Sequence, residues 1–136
     1  MFEVVYYSMT GNTRKVAEAI AAELDVSAED VKTKKELAKD SFVFLGSGLN
    51  LGWTKKLKKF INSNDFNGRK VALFGTSGDG KGSEVEALEE MVTAKGAKVA
   101  GKFYCKGKFL FLFNRRNPTR EELENAVKFA REMKNA

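Results

Sequence analysis

Short apolar runs alternate along the chain with segments in which apolar residues recur at helical spacing. Four of these runs contain β-branched and aromatic residues and predict strands, and a weaker strand is predicted within a polar stretch. The strands are expected at residues 3–7, near Val31, and at residues 41–46, 71–75 and 98–104. The third and fourth runs are apolar at nearly every position and end in glycine, which is typical of strands buried on both faces of a sheet.

Four other segments predict amphipathic helices, because their apolar residues return every three or four positions. The first helix is expected at residues 12–24. The residues expected to face the core are Val16, Ala17, Ile20 and Leu24 in the first helix, Leu57, Phe60 and Ile61 in the second, Val85, Leu88, Met91 and Val92 in the third, and Leu123, Ala126, Val127 and Ala130 in the fourth.

Charged residues mark the expected solvent faces of two of these helices. They are Lys55, Lys56, Lys58 and Lys59 in the second helix and Glu84, Glu86, Glu89 and Glu90 in the third. A capping box at residues 119–122, directly after Pro118, predicts the start of the fourth helix.

The regular alternation of strand and helix predicts an α/β fold, with one domain over residues 1–136. Such a pattern indicates a parallel sheet covered by helices on both faces. Ligands bind to these sheets beyond the carboxyl ends of the strands, where the strand order reverses. We therefore expect the chemistry of this chain in the loops after the first, third and fourth strands, which are rich in glycine and small polar residues.

Composition narrows the functional classes. The chain has no histidine, which excludes histidine acid–base catalysis and histidine metal sites, and its single cysteine, Cys105, favours a reducing, cytoplasmic setting. No apolar run approaches the ~20 residues needed to cross a bilayer, and no signal peptide is evident, so no membrane association is expected. The net charge of +6 favours acidic partners, but no recognisable nucleic-acid reading element accompanies it. We expect a monomer.

The first loop has the composition of a phosphate-binding loop. It consists of Ser8, Met9, Thr10, Gly11, Asn12 and Thr13. It joins a strand to a helix N-terminus, where unpaired backbone N–H groups and the helix dipole attract an anion. The three hydroxyl groups can donate to phosphate oxygens, and the glycine allows close approach of the backbone. The alternative is an ordinary helix cap formed by Thr10 or Asn12.

The same loop resembles the FMN-phosphate loop of the flavodoxins, which has the pattern Ser-x-Thr-Gly-Asn-Thr after the first strand. Residues 71–76, Val-Ala-Leu-Phe-Gly-Thr, resemble the fourth strand of that family, and residues 58–61 and 67–70 resemble the stretch that leads into it. The resemblance covers essentially the whole chain. It implies a flavodoxin-like, doubly wound, five-stranded parallel sheet of order 2-1-3-4-5, and FMN as the cofactor.

By this resemblance, the other two loops hold the isoalloxazine ring. The second loop is Ser47, Gly48, Leu49, Asn50, Leu51, Gly52 and Trp53, and the third is Gly75, Thr76, Ser77, Gly78, Asp79 and Gly80. Flavodoxins commonly stack an aromatic side chain on each face of the ring, whereas the third loop here has Ser77 and Asp79. Trp53 either stacks on the ring or begins the next helix and packs on Leu57. Gly48 and Gly52 are both candidates for the flexible peptide that the family places beside flavin N5.

Asp79 has two interpretations. Near the flavin ring it would disfavour the anionic reduced form by charge repulsion. As part of Gly-Asp-Gly it could equally be a solvated turn residue.

Three other features suggest different chemistry. Residues 75–82 nearly spell a nucleotide-binding P-loop, but Gly82 stands where a magnesium-binding Ser or Thr is needed. Cys105 lacks the arginine six positions later that a cysteine phosphatase requires, which favours a buried thiol. Residues 109–113, Phe-Leu-Phe-Leu-Phe between basic neighbours, are either a buried strand or an apolar flap at which a redox partner docks.

These observations predict an FMN-binding electron carrier that shuttles electrons between redox partner proteins and has no substrate chemistry of its own. Its positive charge predicts partners with acidic docking faces. Three alternatives remain open: a dedicated activating flavoprotein for one enzyme system, a small FMN-dependent reductase, and a flavin-free binding module.

Overall fold

A computed structural model describes residues 1–8, 11–34, 36–48, 53–76, 83–104 and 120–135, with the backbone alone at residues 53 and 54. The elements, in chain order, are β1 (Phe2–Tyr7), α1 (Asn12–Leu24), β2 (Ala28–Asp30), β3 (Phe42–Ser47), α2 (Trp53–Asn62), β4 (Lys70–Gly75), α3 (Ser83–Ala94), β5 (Lys98–Tyr104) and α4 (Arg120–Lys134). The strands form one parallel sheet in the order β2-β1-β3-β4-β5. The predicted fold class and strand order are confirmed.

The predicted boundaries are close to the observed ones: β1 and β4 each begin one residue earlier than predicted, and β2 and β3 are also shifted. β2 ends at Asp30 and so lies just before the predicted position at Val31, whose backbone N–H still donates to the carbonyl of Tyr6 at 2.9 Å. β3 extends from Phe42 to Ser47, one residue later than expected. Of the capping box predicted for the fourth helix, Thr119 lies outside the described residues, as do Cys105 and the apolar run at 109–113.

Two apolar layers cover the two faces of the sheet. On one face, α2 and α3 pack on alternate residues of β1, β3 and β4, among them Val5, Leu45 and Leu73. On the other face, α1 and α4 pack on the intervening residues, which include Val4 and Phe44. Because successive side chains of a strand point to opposite faces, continuous apolar strands are needed to fill both layers.

The fit between β3 and β4 depends on a glycine. Gly46 is level with Phe74 across the strand pair. A Cβ at position 46 would overlap the Phe74 ring, so the ring lies directly over the glycine. The absence of a side chain at one position thus makes room for a buried aromatic side chain on the neighbouring strand.

Two predicted helix faces need correction. Glu84, expected in solvent, is fully buried, because it lies four positions before Leu88 and therefore on the core side of α3. In α4, Ala126 and Ala130 are buried as predicted and Leu123 packs against the core, but Val127 is half-buried. Phe129 takes the central inward position, where its ring stands edge-on to that of Phe44 with centroids 6.1 Å apart.

Candidate functional site

The carboxyl ends of β1, β3 and β4 lie side by side at one edge of the sheet. Across the parallel pairs, Tyr7 is level with Ser47, and Ser47 is level with Gly75. β1 is flanked by β2 on one side and β3 on the other, so the strand order reverses there. This edge is the place where an α/β sheet binds its ligands. The described ends of the three predicted loops meet here.

The first loop is shaped by a serine and a glycine. The backbone N–H of Gly11 donates to Ser8 Oγ at 2.9 Å. Gly11 has φ of 94°, a left-handed conformation that glycine adopts without a steric penalty. Apart from its chain neighbours, no atom of the described residues would lie within 4 Å of a Cβ at this position. Met9 and Thr10, also predicted for this loop, lie outside the described residues.

The start of α1 has backbone N–H groups that no described side chain caps. Gly11 occupies the N-cap position, and no described side chain makes a capping hydrogen bond. The first helical bond runs from the N–H of Lys15 to the carbonyl of Gly11 at 3.1 Å, which leaves the earlier N–H groups without helical partners. Asn12 is the first helical residue, so the interpretation of Asn12 as the cap is wrong. The helix start is suited to an anion.

Thr13 connects the first loop to the third. Its side chain is 2% exposed, and its Oγ1 lies 2.6 Å from Thr76 Oγ1, a hydrogen-bonding distance. One hydroxyl hydrogen serves this bond, so the other hydroxyl keeps a hydrogen to donate. Either oxygen can be the donor of this bond, and Thr76 is the more exposed of the two residues. The sequence pattern predicts that the hydroxyl of Thr13 donates to a phosphate.

The second loop begins tightly packed. Ser47 is fully buried and its Oγ donates to the carbonyl of Gly48 at 2.8 Å. A Cβ at Gly48 would lie 3.2 Å from Thr13 Oγ1 and 3.5 Å from Thr76 Oγ1. All three loops therefore converge on this pair of hydroxyl groups. Leu49, Asn50, Leu51 and Gly52 lie outside the described residues, and Trp53 is the first residue of α2.

The third loop begins against the buried carboxyl group of Glu84. Gly75 ends β4, and a Cβ there would overlap the Glu84 side chain. Thr76 N–H donates to the carbonyl of Ser47 at 3.2 Å, which holds the starts of the second and third loops together. Ser77, Gly78, Asp79 and Gly80 lie outside the described residues.

Sequence reasoning missed the contribution of Glu84 to this site. A signal was present, because a residue four positions before the inward-facing Leu88 must share its face. The run of four glutamates in α3 masked that signal by suggesting a uniform solvent face. The pairing of Thr13 with Thr76 had no local signal, since the two residues are 63 positions apart.

A second cluster of charged residues lies away from the loops and includes Glu3, in β1. Burial opposes ionisation of Glu3, but hydrogen bonds from Lys34, Ser41 and the Ala38 N–H outweigh it and lower the pKa of the carboxyl group. For Lys34, burial likewise opposes the charged form, and hydrogen bonds to Glu3 and Glu29 raise its pKa. This cluster stabilises the fold.

The described residues contain no helix long and apolar enough to span a membrane. Nor do they contain a group of three or more Cys, Asp or Glu residues placed to hold a metal ion. The described part of the site includes hydroxyl groups, backbone amides and glycines beside the buried carboxyl group of Glu84.

Comparison with known proteins gives a consistent result. Residues 3–134 match the model of the flavodoxin domain family. The chain is 34% identical over 116 residues to the flavodoxin-like domain-containing protein BilS of Clostridioides difficile (strain CD3), a match over 77% of this chain and 65% of that protein. It is 35% identical over 109 residues to a flavodoxin of Clostridium beijerinckii, a match over 71% of this chain and 79% of that protein.

A solved structure shares the fold. Oxidised flavodoxin 2 from Bacillus cereus superposes with a TM-score of 0.71, with 22% identity, over 98% of this chain and 97% of its own.

Proposed function

This chain belongs to the flavodoxin family, and on that premise we propose that it binds FMN at the three loops and carries electrons between redox partner proteins. Members of the family bind FMN. The observation that supports the proposal most directly is the start of α1, where no described side chain caps the helix and Gly11 adopts a left-handed conformation.

The residues present fit a phosphate group. Backbone N–H groups in the first turn of α1, and whichever hydroxyl of the Thr13–Thr76 pair keeps its hydrogen, supply neutral donors. Arg14 contributes a general positive field, since its side chain pairs with Glu18 along the helix at 3.2 Å. Ser8 holds the loop open by accepting from Gly11, so that the donors are in place before the ligand arrives.

The described part of the site is consistent with electron transfer without substrate chemistry. FMN, when bound, supplies the ring that accepts and releases electrons. The protein needs to grip the phosphate, hold the ring and leave one edge accessible. The side chains described at this edge are hydroxyls and the buried carboxyl of Glu84, and the chain has no histidine. We also propose that the protein is a cytoplasmic monomer. Its net charge of +6 supports the further proposal that its partners present acidic faces.

The proposal is tested by comparing FMN with riboflavin, which lacks the phosphate. Hydrogen bonds to a charged acceptor contribute about 1.5–3 kcal/mol each, so three of them predict at least a ~10³-fold preference for FMN. Purified protein is titrated with each flavin while flavin fluorescence is followed. Failure to bind FMN, or equal affinity for the two flavins, would refute the proposal.

The variant Ser8→Ala tests whether the first loop binds the phosphate. Losing the bond that shapes the loop should weaken FMN binding about tenfold and leave riboflavin binding unchanged. Ser27→Ala is the matched control, because Ser27 is exposed just before β2, at the opposite edge of the sheet. Equal losses for both flavins in Ser8→Ala would place the phosphate elsewhere.

The reductase alternative predicts a different outcome. A carrier, once reduced, passes its electrons to a second redox protein. A reductase would turn over a quinone repeatedly in the absence of a second protein. Steady-state reduction of a soluble quinone by the FMN-loaded protein, with a nicotinamide cofactor as the electron donor, would therefore favour the reductase.

A further inference from the structure

A groove lined by lysines lies between the turn after β2 and the helix α2. Its volume is about 330 Å³, at the lower end of the range of about 300–1,000 Å³ for ligand pockets. Its principal lining residues are Val31, Lys32, Lys34, Lys56, Lys59 and Phe60. We call it the lysine groove. The apolar side chains form its floor, being 8% and 5% exposed, and the lysines form its rim.

The positive charge of the rim is incompletely neutralised. Among the residues that the structure describes, Lys34 pairs with Glu3 at 2.7 Å and with Glu29 at 3.2 Å. No described carboxylate forms an ion pair with Lys56 or Lys59, both of which are exposed. α2 contains four lysines and no acidic residue.

This arrangement favours an anionic occupant. Lys56 and Lys59 lie three positions apart on one side of α2, a spacing at which like charges repel. Asp30 lies near the rim, where its Oδ1 accepts from the N–H of Lys32. Among the described residues, the carboxylates near the groove are Glu3, Glu29 and Asp30, against the four lysines that line it. An anion in the groove would relieve the remaining repulsion.

One end of the groove approaches the first loop of the flavin site. The Nζ of Lys32 is 5.7 Å from the centre of the Tyr7 ring, and Tyr7 directly precedes Ser8 of the first loop. On the other side, α2 begins at Trp53, where the second loop ends. The groove runs along α2 to Lys59 and Phe60, and its Lys34 pairs with Glu3 near the start of β1. An occupant would therefore approach the first loop at the Lys32 end of the groove.

We infer that the lysine groove docks an acidic segment of the protein with which this chain exchanges electrons. An apolar side chain of that segment would cover Val31 and Phe60, and flanking carboxylates would face the lysines of the rim. The role of the occupant as a redox partner rests on the proposed function; the preference for an acidic peptide does not. A nucleic acid fits less well, because the Phe60 ring is buried and offers no face on which a base could stack.

α2 provides a matched pair of variants for the test. Lys56→Glu/Lys59→Glu reverses two charges on the rim of the groove. Lys55→Glu/Lys58→Glu makes the same change, at the same spacing and on the same helix, at exposed lysines that do not line the groove. The two variants have equal net charge, so a difference between them reports the groove and not the overall field.

The probe is a fluorescein-labelled peptide, Glu-Glu-Leu-Glu-Glu, titrated with the protein as purified while fluorescence anisotropy is measured at low ionic strength. We expect the groove variant to bind the peptide at least tenfold more weakly than the control variant. A peptide with serine in place of leucine should bind several-fold more weakly to the unaltered protein, because it leaves the apolar floor uncovered. Equal binding by the two variants, or tighter binding of a single-stranded pentanucleotide than of the peptide, would overturn the inference.

A second measurement tests the position of the groove beside the flavin. FMN-loaded protein is reduced and then oxidised by ferricyanide, a small trianion, in a stopped-flow experiment. The groove variant should be oxidised at least fivefold more slowly than the control variant, with a weaker dependence on ionic strength. Equal rates would refute a position beside the flavin. Peptide binding without FMN binding would refute the proposed function but support the acidic-peptide site. FMN binding, with no effect of the groove lysines on peptide binding, would refute the acidic-peptide site but support the proposed function.

Discussion

The hydrogen bond between Thr13 and Thr76 should stabilise the fold before any ligand binds. It joins the first helix to the end of β4 across 63 positions of sequence, and its 2.6 Å length lies within the usual range for a hydroxyl–hydroxyl bond. Substitution of either threonine by valine removes the hydroxyl while keeping the branched shape. A double-mutant cycle of the two substitutions therefore isolates the bond between them.

The two single substitutions should have unequal effects. In Thr76→Val, the hydroxyl of Thr13 loses its partner while it is 2% exposed, and a buried polar group left in this way costs about 1–3 kcal/mol. In Thr13→Val, the hydroxyl of Thr76 is half-exposed and can bond to water, so the cost should be about 0.5–1.5 kcal/mol. The double variant leaves neither hydroxyl, and should cost less than the sum of the single variants by about 0.5–1.5 kcal/mol.

Urea unfolding of the FMN-free protein, followed by circular dichroism, measures all four free energies of unfolding in the cycle. The denaturant slope must stay constant, so that each change in midpoint reports stability alone. A coupling energy below about 0.3 kcal/mol would show that the bond contributes nothing. A larger loss in Thr13→Val than in Thr76→Val would contradict the reasoning from burial.

Two further predictions concern the fold around the site. Gly46→Ala should lower the free energy of unfolding by about 1–3 kcal/mol, because the added methyl group must displace the Phe74 ring from a packed core. Urea unfolding measures this change. An unchanged midpoint would show that the ring moves without cost. Glu3→Gln should lower stability at pH 7 by about 1–3 kcal/mol through loss of the charged bond to Lys34. Folding lowers the pKa of Glu3, so the stabilising effect of its charge is complete above the ordinary value of 4.5 and is lost as the pH falls through the lowered value. The unaltered protein and Glu3→Gln should therefore have similar free energies of unfolding in acid. A difference in stability that persists in acid would contradict this reasoning.

Much of the fold was accessible from local pattern. The helix at Asn12–Leu24 and the strand at Lys98–Tyr104 have the predicted bounds, since apolar spacing within each segment reports which side of it is buried. β2 is the element that the sequence pattern predicts least directly. It has three residues, of which none is fully buried, so it offers little apolar pattern and is defined by its pairing with β1.

The amino-acid sequence by itself determined the alternation of strands and helices, the family, and the loop at the start of α1 where an anion can bind. These properties depend on residues within a few positions of one another. The tertiary structure decided that Thr13 bonds to Thr76, that Glu84 lies under Gly75, and that lysines of β2's turn and of α2 share one groove. Each of these depends on which strands are neighbours and in what register, and no local spacing encodes a contact between segments that meet only when the sheet has assembled.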